Sequence, residues 1–440
     1  MALGADQQSA ALREGTEPAG APSRRPRRSP SWRVLQESRF RAYFVGLTIS
    51  NLGTWLQNTA QLLLVYRLTR SPLDIAIVTS AQFSGFLTIG PWAGSIAARA
   101  GAKRVLVGTQ LVSAAVSLVL AGLQVSGLLG VPALAVGALI TGFAATIALP
   151  VQTTVVSALV PAHDLKAALG MNSVSYNAGR AIAPLLSVAI MTTVGAGWAF
   201  TLNALSFLVF ARAVHVLPRI GALAAPAPVR PRAVADIVFR RPRLLLLLAM
   251  VAAITFADDP VLVLGPSVAH SMAATSSWPA YFLSALGIGT VLGAVLPRRG
   301  FSVVLKPSGH TRRAAIALIV LAGSVLIFAA GLAPWVSFMA AAIAGLAGLV
   351  AGSTAQALLA KIVPEANLLH VMALWGVAWA GTKPIASLLD GALASQHGVG
   401  LAAFVLVAPA LVIGGGELVL TQGLRRKIKG WSTRGRTVAS

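Results

Sequence analysis

The sequence predicts an all-α membrane protein of twelve transmembrane helices arranged as two pseudo-symmetric six-helix bundles. Three observations predict it. Of 440 residues, 56% are hydrophobic and 11% charged, with a mean hydropathy of +0.78. The apolar runs reach or exceed the ~20 residues that a membrane helix needs, and twelve of them can be counted. The two halves also repeat: at an offset of 203, Arg180 in NAGRAIAPLLS falls on Lys383 in AWAGTKPIASLLD, and Val160-Pro161 falls on Val363-Pro364. A cation near the bilayer centre is costly, so its recurrence at one depth in both halves marks a pathway or a binding site.

The net charge of +23 does not read as a nucleic-acid surface, because the basic residues lie between spans, where positive residues hold loops on the cytoplasmic side. With both termini cytoplasmic, 31 of the 35 Lys and Arg lie in tails or inward loops; Arg180 and Lys383 lie inside spans, and Arg67 and Arg70 lie outside. Residues 1–40, with SRRPRRSPSWR, are too polar and Pro-rich to bury a core and read as a disordered basic cytoplasmic tail. They lack the apolar stretch of a cleavable signal, so the first span is expected to act as the signal anchor. The absence of cysteine excludes disulfides and thiolate metal sites.

In chain order, the spans are expected near 42–66, 73–98, 105–125, 131–155, 166–193 and 197–214, then 244–265, 278–297, 314–332, 335–360, 368–394 and 399–422. The domains follow: an N-terminal bundle at 41–214, a Pro/Ala-rich basic cytoplasmic linker at 215–243, a C-terminal bundle at 244–422 and a basic cytoplasmic tail at 423–440. GPWAGSIAARAGAKRVL (90–106) aligns with GTVLGAVLPRRGFSVVL (289–305) at an offset of 199. An even number of crossings separates the equivalent elements, so the bundles share one orientation.

These segments carry a resemblance. GSIAARAGAK resembles the loop between the second and third spans of the major facilitator superfamily, with Gly94, Arg99, Gly101 and Lys103 in place as a gating loop. GRAIAPLLS resembles the superfamily's antiporter motif, with Gly179 and Pro184 in place. LPVQTTVVSALVPAHDLKAALGMNS, WAFTLNALSFL and AQALLAKIVPEANLLHVMAL are similar to the branch that contains the enterobactin exporter and macrolide efflux proteins. The resemblance implies export of a small molecule by alternating access. Two positions depart from it: the acid of the loop motif is Ala98 and the Gly before the motif's Pro is Ala183. The fourth span also lacks the Arg that many proton-coupled drug antiporters of the superfamily carry there.

Candidate site residues follow from helical spacing. Asn172, Tyr176 and Arg180 on the fifth span, with Ser187, stand within about 80° of one another. Their counterparts at the 203 offset are Trp375, Trp379, Lys383 and Asp390. Arg180 lies 14 residues beyond Lys166, a rise of roughly 21 Å, which reaches the middle of the ~30 Å hydrocarbon layer. Asp258 and Asp259 on the seventh span lie at the same depth beside Pro260, and point about 100° apart. Two unpaired carboxylates there are too costly, so at least one is expected to be protonated or ion-paired. Asn51, Thr54, Asn58 and Gln61 form a stripe on the first span. For each group a cavity-lining role stands beside a structural one: helix ties for the cations, a buried ion pair for the acids, interhelical hydrogen bonding for the stripe. Asp390 and Glu417, near span ends, are expected to be solvated or interfacial.

No phosphate-binding pattern, intramembrane His relay, cofactor or metal is indicated, and the chain does not read as an enzyme. The expected protein is a monomeric secondary transporter of the bacterial inner membrane, with a small amphipathic substrate, protons and the lipid bilayer as its partners and no nucleic acid. A lysophospholipid or lipid flippase is the alternative transport reading, and a transport-inactive receptor or scaffold the alternative of another class. The topology is testable because the chain has no native cysteine. Ala225→Cys should stay unlabelled by an impermeant thiol reagent outside intact cells and Leu128→Cys should react; the reverse pattern would overturn the orientation.

Overall fold

The computed structural model describes residues 31–218, 241–295, 310–363, 371–372 and 374–437, and these are helical apart from short connections. Most of the linker, the loop at 298–306 and the first thirty residues of the tail lie outside the described residues. In the N-terminal half the spans are Ser38–Thr69, Pro72–Thr88 continued by Gly90–Ala100, Ala102–Val125, Val131–Leu159, Leu165–Thr193 and Ala196–His215. In the C-terminal half they are Pro242–Val263, Trp278–Val295, His310–Ala329, Pro334–Ile362, a π turn at Val377–Gly381 leading into Lys383–His397, and Val399–Thr437. The last helix continues past residue 422, where the sequence pattern ends its span.

Local chemistry sets the helix ends. Pro occupies the first turn of the second, fourth, seventh and tenth spans, where its missing N–H is no loss. Ser71 caps the second span, accepting from the Asp74 amide at 3.3 Å. Gly195 and Gly398, at φ of 97° and 89°, turn the chain into the sixth and twelfth spans. They stand 203 residues apart, at the offset of the sequence repeat.

Two spans differ from the continuous helices expected. The second bends by 70° between Thr88 and Trp92, where Pro91 cannot donate a hydrogen bond. The eleventh passes through the π turn and restarts at Lys383, because Pro384 has no N–H with which to continue the helical ladder. Thr255 on the seventh span donates to the Trp379 carbonyl there, at 2.8 Å.

Seven described helices are long and apolar enough to cross a membrane by length and hydropathy alone, eight when the bent second span is included. The first, fifth and eleventh spans fall short because they carry the polar stripes or are broken; the eighth is short and apolar. On the outside, Val119, Val136, Leu205 and Phe404 are exposed on single-helix faces, as lipid-facing residues are.

Packing repeats with the sequence. Within each half the first helix packs on the fifth and sixth, the second on the fourth, and the third on the fourth and sixth; the corresponding C-terminal helices pair alike. The halves join where the second span meets the eleventh and, symmetrically, the fifth meets the eighth. Small residues permit these approaches. A Cβ on Gly142 would collide with the Gln82 carbonyl, and one on Gly345, 203 residues later, with the Leu286 carbonyl. Gly142→Ala and Gly345→Ala should therefore each destabilise the protein by about 1–3 kcal/mol. Gly108→Ala, with nothing within 4 Å, should be neutral or stabilise by up to about 1 kcal/mol. Detergent melting of the three variants checks this; equal melting would contradict the close-packing assignment.

Candidate functional site

The seventh span carries two adjacent carboxylates to the junction of the halves, and helical geometry sends them in different directions. Asp258 faces the fifth span: Arg180 Nη2 lies 3.3 Å from its Oδ2, and Lys383 Nζ lies 3.3 Å from its Oδ1. Asp259 faces the eleventh span, with Lys383 Nζ at 2.8 Å and Ser387 Oγ donating at 2.9 Å to Oδ1. Asp259 is 0% exposed, whereas the Arg180 and Asp258 side chains each keep 20% exposure. One carboxylate of the pair thus meets the cleft between halves and the other is sealed within its own half. Both are ion-paired, as the cost of a lone buried charge requires.

Aromatic rings continue this arrangement. The Arg180 guanidinium carbon lies 5.7 Å from the centre of the Trp55 ring, a cation–π arrangement that suits a planar, weakly hydrated cation. Trp55 meets Tyr176 edge-on at 5.5 Å, and Tyr176 meets Trp379 of the other half at 6.4 Å. Trp379 remains 42% exposed. The aromatic that precedes the cation in each repeat therefore reaches across to its counterpart. Trp375 instead packs, half-buried, against the hydrophobic core.

The first-span stripe is not brought to the ion cluster. Asn51 donates to Ser175 at 2.9 Å, Asn58 accepts from Gln82 at 3.0 Å, and Thr54 bonds back to the Ser50 carbonyl at 2.8 Å. Gln61 is buried. These bonds stay within the N-terminal half. Asn172 is half-buried with its Oδ1 unpartnered. A polar network not anticipated from the sequence lies on the neighbouring face of the first span: Ser117 and Asn203 both donate to Gln57 Oε1, each at 2.8 Å. The spacing of Ser50 and Gln57 on one face was its sequence signal.

At the motif positions, Gly179 packs so tightly on the first span that an added Cβ would meet the Asn51 carbonyl and Trp55 at 3.1 Å. Ala183 and Pro184 are buried one turn on. In the loop, Gly94 is half-buried, Gly101 adopts φ 86° between helices, Arg99 is exposed, and Lys103 donates to the Leu217 carbonyl at 2.7 Å. Arg99 forms no ion pair among the described residues.

Asp390 corrects an expectation. Rather than solvated, it is 0% exposed, and neither of its carboxylate oxygens has a hydrogen-bond partner. Its neighbour in the chain is Gly391. With no side chain there, the second span closes over the eleventh, where a Cβ would meet the Pro72 carbonyl at 2.9 Å and Leu73 Cα at 3.0 Å.

The junction is closed at the end away from the chain termini. Tyr66 packs against His270 with ring centres 6.5 Å apart, Ser80 donates to the Pro384 carbonyl at 3.0 Å, and Gly287 lies against the backbone of Arg180 and Ala181. Among the described residues no group of His, Cys, Asp and Glu is arranged to hold a metal.

Comparison with known proteins agrees with this architecture. The structure of a peptide transporter in complex with alafosfalin superimposes with a TM-score of 0.69 at 14% identity, covering 90% of this chain and 99% of that one. A nucleoside transporter, NupG, gives 0.67 at 14% identity, covering 87% and 99%. A bacterial homolog of the human lysosomal transporter Spinster, in an inward-facing and occupied conformation, gives 0.67 at 12% identity, covering 88% and 97%. At these identities the likeness establishes the fold. No curated protein matches the sequence. The family model for transmembrane secretion effectors matches residues 29–429, and the protein therefore belongs to that family, as a multi-pass membrane transporter of the major facilitator superfamily.

Proposed function

We propose that the protein exports a small amphipathic molecule across the bacterial inner membrane in exchange for protons, working as a monomer with both termini in the cytoplasm. The observation that carries this reading is the ion cluster at the junction of the halves, whose Arg180 and Asp258 side chains stay 20% exposed beside Trp55, Tyr176 and Trp379. Aromatic faces suit an apolar body, and Arg180 with Asp258 offers charge to a polar end. The direction of transport comes from the resemblance to exporters and from the family. With the termini cytoplasmic, contacts closed at the opposite end correspond to an inward-facing state ready to receive substrate from the cell. A scaffold has no need of a partly exposed ion cluster between two movable halves, which favours transport over that alternative.

In this reading, substrate entering between the halves competes for Arg180 and Asp258 and weakens the bridge that joins them. Protonation of the acids does the same from the other side of the cycle. Binding and protonation therefore bias one equilibrium, as coupling requires.

Two measurements test the proposal. Arg180→Ala should cut surface-normalised efflux of a fluorescent amphipathic dye by about tenfold or more, the equivalent of ~1.4 kcal/mol in binding, with little change in detergent melting. Proteoliposomes with an imposed pH gradient should show dye-dependent proton movement that Asp258→Asn/Asp259→Asn abolishes. Wild-type efflux in the first variant, or coupled flux surviving in the second, would contradict the assignment.

A further inference from the structure

The buried cluster does not balance its charges. Arg180 and Lys383 supply two cations, while Asp258, Asp259 and Asp390 supply three carboxylates. In a medium where a lone ionised carboxylate costs several kcal/mol, the cluster is neutral only with one proton aboard. Hydrogen bonding says where that proton sits. Asp258 accepts from both cations, and Asp259 accepts from Lys383 and Ser387. Asp390 accepts from nothing, and Asp259 Oδ2 is likewise unpartnered.

Resting on the proton-antiport reading above, we infer that Asp390 is a proton-binding site that carries the single exchangeable proton of the cluster. Lys383, Ser387 and Asp390 follow at spacings of four and three along the eleventh span, within about 60° of one another. Asp390 thus lies one turn beyond the Ser387 that holds Asp259, on the side of the closed end. The charges acting on it are Asp259 of the seventh span and Lys383 of its own helix; Asp74 stands on the second span, in its first turn. The equivalent position in the other half is Ser187, which is buried and directs its hydroxyl at Met191 Sδ. Only one repeat therefore holds an acid at this depth, and the cluster carries one proton rather than two.

Next to this site, the second span closes on Gly391. When the closed end opens, water reaches the Asp390 carboxyl and the proton exchanges with the outer medium. With that end closed, as here, the proton rests on Asp390, which has no donor, while Asp259 stays ionised between Lys383 and Ser387.

Infrared spectroscopy of the purified full-length protein in lipid nanodiscs reads the proton without any transport. At neutral pH the wild type should show a protonated-carboxyl C=O band that shifts in D2O. Asp390→Asn should remove it. Asp259→Asn should remove it too, although Asp390 is still present, because two cations then face two carboxylates. Lys383→Met should roughly double it, one cation then facing three carboxylates. A wild type without the band, or a band that persists in either Asn variant, would overturn the proton site whatever the flux assay shows. If the band pattern holds while coupled flux is absent, the export reading alone fails.

Discussion

One contact governs this molecule: the carboxylate of Asp258, from the C-terminal half, lying between Arg180 of the N-terminal half and Lys383 of its own. Neither cation can rest alone at mid-membrane, and each repeat brings one there. A single acid shared between them answers both demands. It also makes the relation between the halves depend on an electrostatic link that water, protons or a charged ligand can loosen. Breaking a buried pair typically costs several kcal/mol, far more than an exposed one, so such a link holds a conformation firmly until something replaces it.

The surrounding packing makes that link meaningful. Glycines at repeat-related positions bring the second and fourth spans, and the eighth and tenth, into backbone contact, which gives each half a rigid body. Gly287 and Gly391 do the same between halves, at the level of the cations and toward the closed end. Rigid halves that touch through small residues can rock without repacking their cores. The aromatic chain from Trp55 through Tyr176 to Trp379 crosses the same junction, so aromatic and ion contacts sit between the halves rather than inside one.

Much of this was legible in the sequence because it rests on periodicity and cost. The offset that pairs Arg180 with Lys383 also pairs Gly142 with Gly345 and Gly195 with Gly398, and the two-bundle fold follows from it. That at least one of Asp258 and Asp259 would be protonated or ion-paired followed from depth alone. What was not legible depended on contacts between distant segments. Asp390 stands where a span end suggests solvent, yet it is 0% exposed. The first-span stripe showed its polarity but not its partners, which turn out to be Ser175 and Gln82. Gln57 shared a face with Ser50, but the sequence did not show that it joins three helices. The π turn before Lys383 was hidden because Pro384 signals a break without specifying its form.

If the mid-depth Arg180–Asp258 bridge keeps the halves closed at the end away from the termini, the spacing of the loops there depends on it. Leu128 and Leu332 stand in loops at that end, one in each half, and both are well exposed. Spin labels on cysteines at these two positions, measured by double electron–electron resonance in nanodiscs, report the separation of the halves directly. One short-distance population is expected in the otherwise unaltered protein, and a marked shift to longer distances when Asp258→Asn is added. Identical distance distributions in the two proteins would contradict that dependence.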